Sequence, residues 1–309
     1  KEYTENLTLE EQVSQLFFAR CPDVNAAEQA AEYSPGGFLL FGRDFDGKTA
    51  DEVQSDIASY QSAATTPMLI GADEEGGTVV RVSSNPLLRE SRFASPQRLY
   101  AEGGLDRIRS DTAEKDALLL SLGVNVNLAP VCDISSDSAS FIYPRTLGGD
   151  ATETSDFVRT VVQQMKTDRV GMVLKHFPGY GGTADTHTGQ AVDERPLSAF
   201  QSCDLLPFEA GIDEGAQAVL VSHNIVTCMD TEYPASLSPA VHELLRGTLG
   251  FTGVVMTDDL AMSAVTDFTG AENAAVLAVK AGNDMMISSD FVIQRSAVLD
   301  AVQNGTLGK

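Results

Sequence analysis

ETSDFVRTVVQQMKTD (153–168), followed after one residue by VGMVLKH (170–176), decides the fold. The first segment has a helical pattern. The second is a short apolar run that ends in two ionisable residues, Lys175 and His176. A continuous apolar run, without alternation, reads as a strand buried on both faces of a parallel sheet. The same kind of run recurs at VSQLFFARC (13–21), GGFLLFG (36–42), PMLIGAD (67–73), VNVNLAP (124–130), AVLVSHN (218–224), GVVMTDD (253–259) and NDMMISSD (283–290). Helical patterns stand between them at 50–63, 110–123, 199–215, 238–250 and 271–282. The first has acidic residues in its opening turn, the second ends in Gly, and the one at 238 has a Ser cap and Pro at its first position. Strand then helix, eight times in 309 residues, predicts a (β/α)8 barrel spanning 1–309 as one domain. The alternative is a doubly wound open sheet. That fold would carry a glycine-rich turn after its first strand, and PDVNAAEQA (22–30) has none.

Composition removes several partners. With 21 basic and 44 acidic side chains the net charge is −23, which repels nucleic-acid backbones and anionic membrane surfaces. No apolar run is long enough to span a bilayer. The four cysteines, Cys21, Cys132, Cys203 and Cys228, form no CxxC pair or zinc-type spacing. The chain opens on polar KEYTENLTLEEQ without Met, which suggests a mature exported or lipid-anchored form, with a cytoplasmic protein as the alternative. The four unpatterned cysteines weigh mildly against export, since disulfide-permissive compartments favour paired ones.

Barrels place their chemistry where strands end. The ionisable residues at those ends are Asp73, Asp133, Lys175, His176, His223, Asp258 and Asp259. Such groups are costly to bury unless paired or used. His242 falls within a helix and is expected at the surface. The glycine-rich stretch KHFPGYGGTADTH (175–187) reads as a tightly turning loop, in which Asp185 and His187 share one side if the chain is extended. A carboxylate beside an imidazole fixes its tautomer and favours its protonated form, an arrangement suited to proton transfer. A metal site built from His176, His187 and an Asp is the other reading, although the HxH and HExxH spacings are missing.

VLKHFPGYGGTADTHTG (173–189) resembles the signature of glycoside hydrolase family 3, and within it the bacterial β-N-acetylglucosaminidase branch. GVVMTDDLAMSAV (253–265) resembles the family's nucleophile segment, and GADEEGGTVVR (71–81) its sugar-binding Asp-x-Glu-Gly-Gly segment. NLAPVCDI (127–134) and YPRTLGGD (143–150) also fit. The loop from His176 to His187 is one residue shorter than the branch's common form, and Tyr180 stands where that form often has His. The chain stops at TLGK (306–309), where the family pattern continues into a further helix.

The resemblance implies that Asp258 is the nucleophile, His187 the acid/base and Asp185 its partner. It implies that Asp73, Arg81, Arg145, Lys175 and His176 hold the terminal sugar. His223 is expected to line or support the site. The implied enzyme is a retaining exo-β-N-acetylglucosaminidase acting on terminal GlcNAc of cell-wall (muropeptide) or chitin-derived oligosaccharides, as in peptidoglycan turnover. No metal, organic cofactor or obligate protein partner is implied. The alternatives are a β-glucosidase of the same family, a metal-dependent amidohydrolase barrel and a binding protein without catalysis. Phosphate in place of water as acceptor also stays open.

Overall fold

A computed structural model describes residues 6–183, 185–186, 189–269 and 271–308. Eight parallel strands close into a barrel: β1 Phe17–Arg20, β2 Gly37–Leu40, β3 Leu69–Ala72, β4 Val126–Asn127, β5 Gly171–Phe177, β6 Ala218–Val221, β7 Val254–Thr257 and β8 Met285–Ser288. Seven lie within the apolar run expected for them, and β5 runs one residue past its own, to Phe177. Because β1 pairs with both β2 and β8, no edge is left, and the open-sheet alternative is set aside.

The helices outside the barrel begin on signals their sequences carry. Thr8 with Glu11, Thr49 with Glu52 and Asp150 with Glu153 form reciprocal capping boxes, satisfying backbone donors that helix starts leave unpaired. Helix Ala50–Ala63 has the expected ends. The helix expected at 110 begins at Pro96, capped by Ser95, and runs to Leu122 with a break at Gly103 and Gly104. Leu9–Ser14, Ala26–Tyr33 and Phe291–Gln303 are further helices that the apolar pattern does not announce. In the second of these, the Asn25 side chain makes no capping bond. His242 corrects an expectation. It is 3% exposed, because position 242 takes the inward side of its helix together with Val241 and Leu245. Its Nδ1 donates to the Ser238 carbonyl at 2.8 Å.

Inside the barrel the side chains stack in layers. Phe18, Val173 and Met256, from β1, β5 and β7, form one apolar layer with Gly71 of β3 as its fourth position. A Cβ on Gly71 would lie 2.4 Å from the tip of the Phe18 ring, and one on Gly37 2.8 Å from its flank. The two glycines therefore give Phe18 the space along the barrel axis. Leu39, Leu128, Leu220 and Ile287, from the even strands or just beyond them, form the next layer. Two residues further along each odd strand come Arg20, Asp73, Lys175 and Asp258. The pleat points residues i and i+2 the same way, so these four crown the apolar stack. Among the described residues, no helix is long and apolar enough to cross a membrane.

Candidate active site

The crown and the layer beneath it bound a cavity of about 410 Å³, within the range of small-ligand sites. Leu39, Leu128, Leu220 and Ile287 make its floor. Arg20, Asp73, Lys175 and Asp258 make its walls, together with Arg81, Arg145, His176 and Phe41.

One wall is a closed charge network. Lys175, 2% exposed, donates to Asp73 Oδ1 at 2.7 Å and lies 2.6 Å from Glu75 Oε1. Arg145 grips both Glu75 oxygens, at 3.0 and 2.8 Å, and its Nη2 lies 3.1 Å from His176 Nε2. Arginine has no acceptor, so this contact selects the His176 tautomer with its proton on Nδ1. Nδ1–H then donates to Asp133 Oδ2 at 2.7 Å. Asp133 also accepts the backbone N–H of His176 and of Tyr180. Lys175 and His176, although adjacent, both reach this wall because the β5 register shifts between Leu174 and Phe177.

The network fixes its own charges. Burial works against the Glu75 carboxylate, but Arg145 and Lys175 outweigh it and hold its pKa well below the usual range. Burial works against the Lys175 ammonium too, and Asp73 and Glu75 outweigh it and raise its pKa. Neighbouring Glu74 does a different job. Its carboxylate accepts the backbone N–H groups of Arg81, Val82 and Ser83 and the Ser83 hydroxyl, folding the loop that carries Arg81 back over the cavity. Gly76 lets that loop turn: its φ is +102°, and a Cβ there would lie 2.2 Å from the Ala94 carbonyl oxygen.

The opposite wall is less occupied. Arg20 stacks over the Phe41 ring, with its guanidinium carbon 4.5 Å from the centroid, and Arg81 lies over the same ring at 5.3 Å. Among the described residues, no hydrogen bond or ion pair engages the Arg20 side chain, and its buried Nε is unpartnered. The Arg81 Nε is likewise buried and unpartnered, while its Nη2 lies 3.5 Å from Asp73.

The geometry matches families of known proteins. The model of the glycosyl hydrolase family 3 N-terminal domain matches residues 8–309. The chain belongs to glycosyl hydrolase family 3. It is 34% identical over 254 residues to a beta-hexosaminidase of Xanthomonas campestris pv. campestris (strain B100), covering 81% of this chain and 76% of that one. A solved family 3 beta-N-acetylglucosaminidase from Paenibacillus sp. str. FPU-7 superposes with TM-score 0.91 at 30% identity, over 98% of this chain. The chain spans 60% of that protein's length. A beta-N-acetylhexosaminidase from Beutenbergia cavernae DSM 12333 superposes with TM-score 0.86 at 27% identity, over 97% of this chain and 94% of that one.

The family 3 barrel brings Asp73, Arg81, Arg145, Lys175, His176 and Asp258 onto one cavity. Asp258 follows β7, its backbone N–H bonded to Val221 and its Oδ1 accepting the Asp259 N–H at 2.8 Å. Asp259 differs from it. Its carboxylate is committed to the backbone of Ala261 and to Ser289, through both the Ser289 N–H and hydroxyl. His223 is buried and is not among the described cavity-lining residues. Its Nε2 lies 2.9 Å from the Asp259 carbonyl oxygen and its Nδ1 2.7 Å from the Ser236 hydroxyl, so it braces the segment after β7. Asp185 is half-buried, and His187 lies outside the described residues. Among the described residues, no three His, Cys, Asp or Glu gather as a metal-ligating group.

Sequence reasoning missed Arg20, Glu75 and Phe41. Arg20 carries the same signal as Lys175, a charge ending an apolar strand, and that rule finds it when applied to FFARC (17–21). Glu75 is the glutamate of the Asp-x-Glu-Gly-Gly segment, but nothing local tells that it serves to hold Lys175 and Arg145.

Proposed function

We propose that this protein is a retaining exo-β-N-acetylglucosaminidase that removes terminal GlcNAc from oligosaccharides by way of a covalent glycosyl–Asp258 intermediate. The observation that carries the reading is the crown itself: Asp258 stands level with Asp73, Lys175 and Arg20 above a closed apolar floor. The names of the relatives supply the sugar, and the cavity's hydrogen-bonding walls suit one.

Asp73, Lys175, Arg81, Arg145 and His176 hold the hydroxyls of the sugar, and the pairing of Glu75 keeps Lys175 and Arg145 in place before substrate arrives. Arg20 offers its free N–H edge to an oxygen on the sugar. Asp258 attacks the anomeric carbon and the glycosidic bond breaks. His187, as imidazolium paired with Asp185, gives its proton to the leaving oxygen. The same imidazole then takes a proton from the attacking water, which releases GlcNAc and frees Asp258. Acid–base help of this kind contributes about 10²–10⁴-fold. Muropeptides and chitin fragments both present the required terminus, which places the enzyme in cell-wall or chitin turnover.

A panel of nitrophenyl glycosides, with and without phosphate and with and without EDTA, tests the reading. The N-acetyl-β-glucosaminide should have the highest kcat/KM, independent of phosphate and EDTA. A comparable value on the β-glucoside overturns the sugar assignment, and phosphate dependence overturns hydrolysis. Loss of activity in EDTA returns the metal-dependent barrel. A 2-fluoro or 5-fluoro glycosyl fluoride should label Asp258 in mass spectra, and labelling at Asp259 or Glu75 rejects the nucleophile.

A further inference from the structure

Tyr180 is the residue at which this chain departs from the branch's common loop, and it is 1% exposed. Its backbone N–H is fixed by Asp133 Oδ1 at 2.8 Å. Its ring packs between Phe141 and His176, with centroids 5.1 and 5.0 Å away. Its carbonyl accepts both the N–H and the hydroxyl of Thr183, at 3.0 and 2.7 Å. The side chain therefore rises from the Asp133–His176 wall, held by its backbone and by both ring contacts. At its end the phenol oxygen meets Thr186 Oγ1 at 2.8 Å, and both groups are buried. Thr186 is the residue between Asp185 and His187. Burial, and then the nearby Asp258 charge, push the Tyr180 pKa upward, so the phenol keeps its proton at neutral pH.

The geometry points to Tyr180 as a positioning residue whose hydroxyl ties Thr186, which in sequence separates Asp185 from the proposed acid/base His187, to the Asp133–His176 wall. This rests on the reading of Asp185 and His187 given under Proposed function. Tyr180 is not itself among the described residues lining the cavity, so it acts through Thr186 and not on the sugar. The loop is anchored by hydrogen bonds at its start, in Gly179, Tyr180 and Thr183. The Tyr180–Thr186 pair carries that anchorage across to the far side of the loop. A proton donor displaced by a fraction of an ångström loses most where the leaving group most needs the proton.

The test compares Tyr180→Phe, Thr186→Val, Thr186→Ser and the Tyr180→Phe/Thr186→Val double variant. Each is assayed on aryl N-acetylglucosaminides with leaving groups from dinitrophenol to unactivated alcohols. Tyr180→Phe keeps the ring packing and removes one hydroxyl. It should lower kcat about three- to tenfold on poor leaving groups, less than about twofold on dinitrophenol, and leave KM within about twofold. Thr186→Val should match it, and Thr186→Ser, which keeps the hydroxyl, should restore parental values. The double variant should be no worse than either single one, because both remove the same bond. Parental leaving-group dependence in both single variants, or losses that multiply in the double variant, overturns the tether. His187→Ala separates the two failures. If it leaves the leaving-group dependence unchanged, the acid/base reading itself fails. If it steepens that dependence while Tyr180→Phe does not, only the tether fails.

Discussion

The two walls of the cavity are built on different principles. On the β3–β5 side, Asp73, Glu75, Lys175, Arg145, His176 and Asp133 spend their charges and polar hydrogens on one another. On the β1–β2 side, Arg20 rests on Phe41 and shows an unpartnered donor. The first wall is finished before any sugar enters, so its energy supports the fold as well as the site. The second has a bond still to make, so its energy is realised only on binding. Substitutions on the first wall should therefore cost stability and activity together, and those on the second activity alone.

The largest effect is expected at Asp258, which stands between the walls. Asp258→Asn keeps the side chain's size and removes the attacking charge. Turnover should fall by about 10³-fold or more, while the urea midpoint stays near the parent's. A large loss of stability would make Asp258 part of the finished wall. Lys175→Met comes next. It leaves Asp73 and Glu75 facing each other without their shared cation, and breaking a buried pair costs about 3–5 kcal/mol. Urea denaturation should show a loss of that order, and an unchanged midpoint would refute the idea of a wall that supports the fold. Arg20→Gln should lower kcat/KM about tenfold, since hydrogen bonds from charged donors are worth about 1.5–3 kcal/mol. Its stability should change by less than about 1 kcal/mol, because only a ring contact is lost. Equal damage to both properties would erase the distinction between the walls.

The smallest effects sharpen it by pH. Glu75 is a buried acid with counter-ions, and its pKa in the fold lies well below the ordinary 4.5. Its contribution to stability is present above pH 4.5 and is lost as pH falls below that value. Asp116, on the helix Pro96–Leu122, is a buried acid whose neighbouring Lys115 does not outweigh its burial. Burial first, and Asp168 second, raise its pKa to about 8. Between the unfolded value of 3.8 and about 8, only the folded state keeps that proton, so stability falls as pH rises through this window. Asp116→Asn should flatten the fall, which is at most about 1.4 kcal/mol per pH unit. An identical pH profile for the variant would show that Asp116 does not hold its proton in the fold.

The barrel was legible in the chain because a strand buried on both faces can only be apolar, and all eight strands say so. Three of the four crown residues, Asp73, Lys175 and Asp258, were legible because each ends such a run with a charge, and Arg20 carries the same signal although it was passed over. What stayed hidden depends on partners far away in sequence. Glu75 and Glu74 are alike until Arg145, seventy residues on, grips one and the backbone of 81–83 takes the other. His242 looked like a surface residue because nothing in its own helix says which face turns inward. Asp258 was told from Asp259 by its place after Thr257 in the segment that resembles the family's, and it is Ser289 that engages the second.

Phe18, seated where Gly37 and Gly71 leave room, has one more consequence. With the axis filled and four aliphatic side chains above it, the cavity is closed at its floor among the described residues. On the exo-acting reading proposed above, a chain cannot thread through it and be cut repeatedly on the way, so each cycle begins with a fresh encounter. The detached remainder lies nearest the opening and departs first, and the single sugar leaves last by the way it came. Until it does, the next chain end has nowhere to go. On the same reading, accumulating product competes for the same seat as substrate, so the proposed reaction is expected to slow as its product builds up.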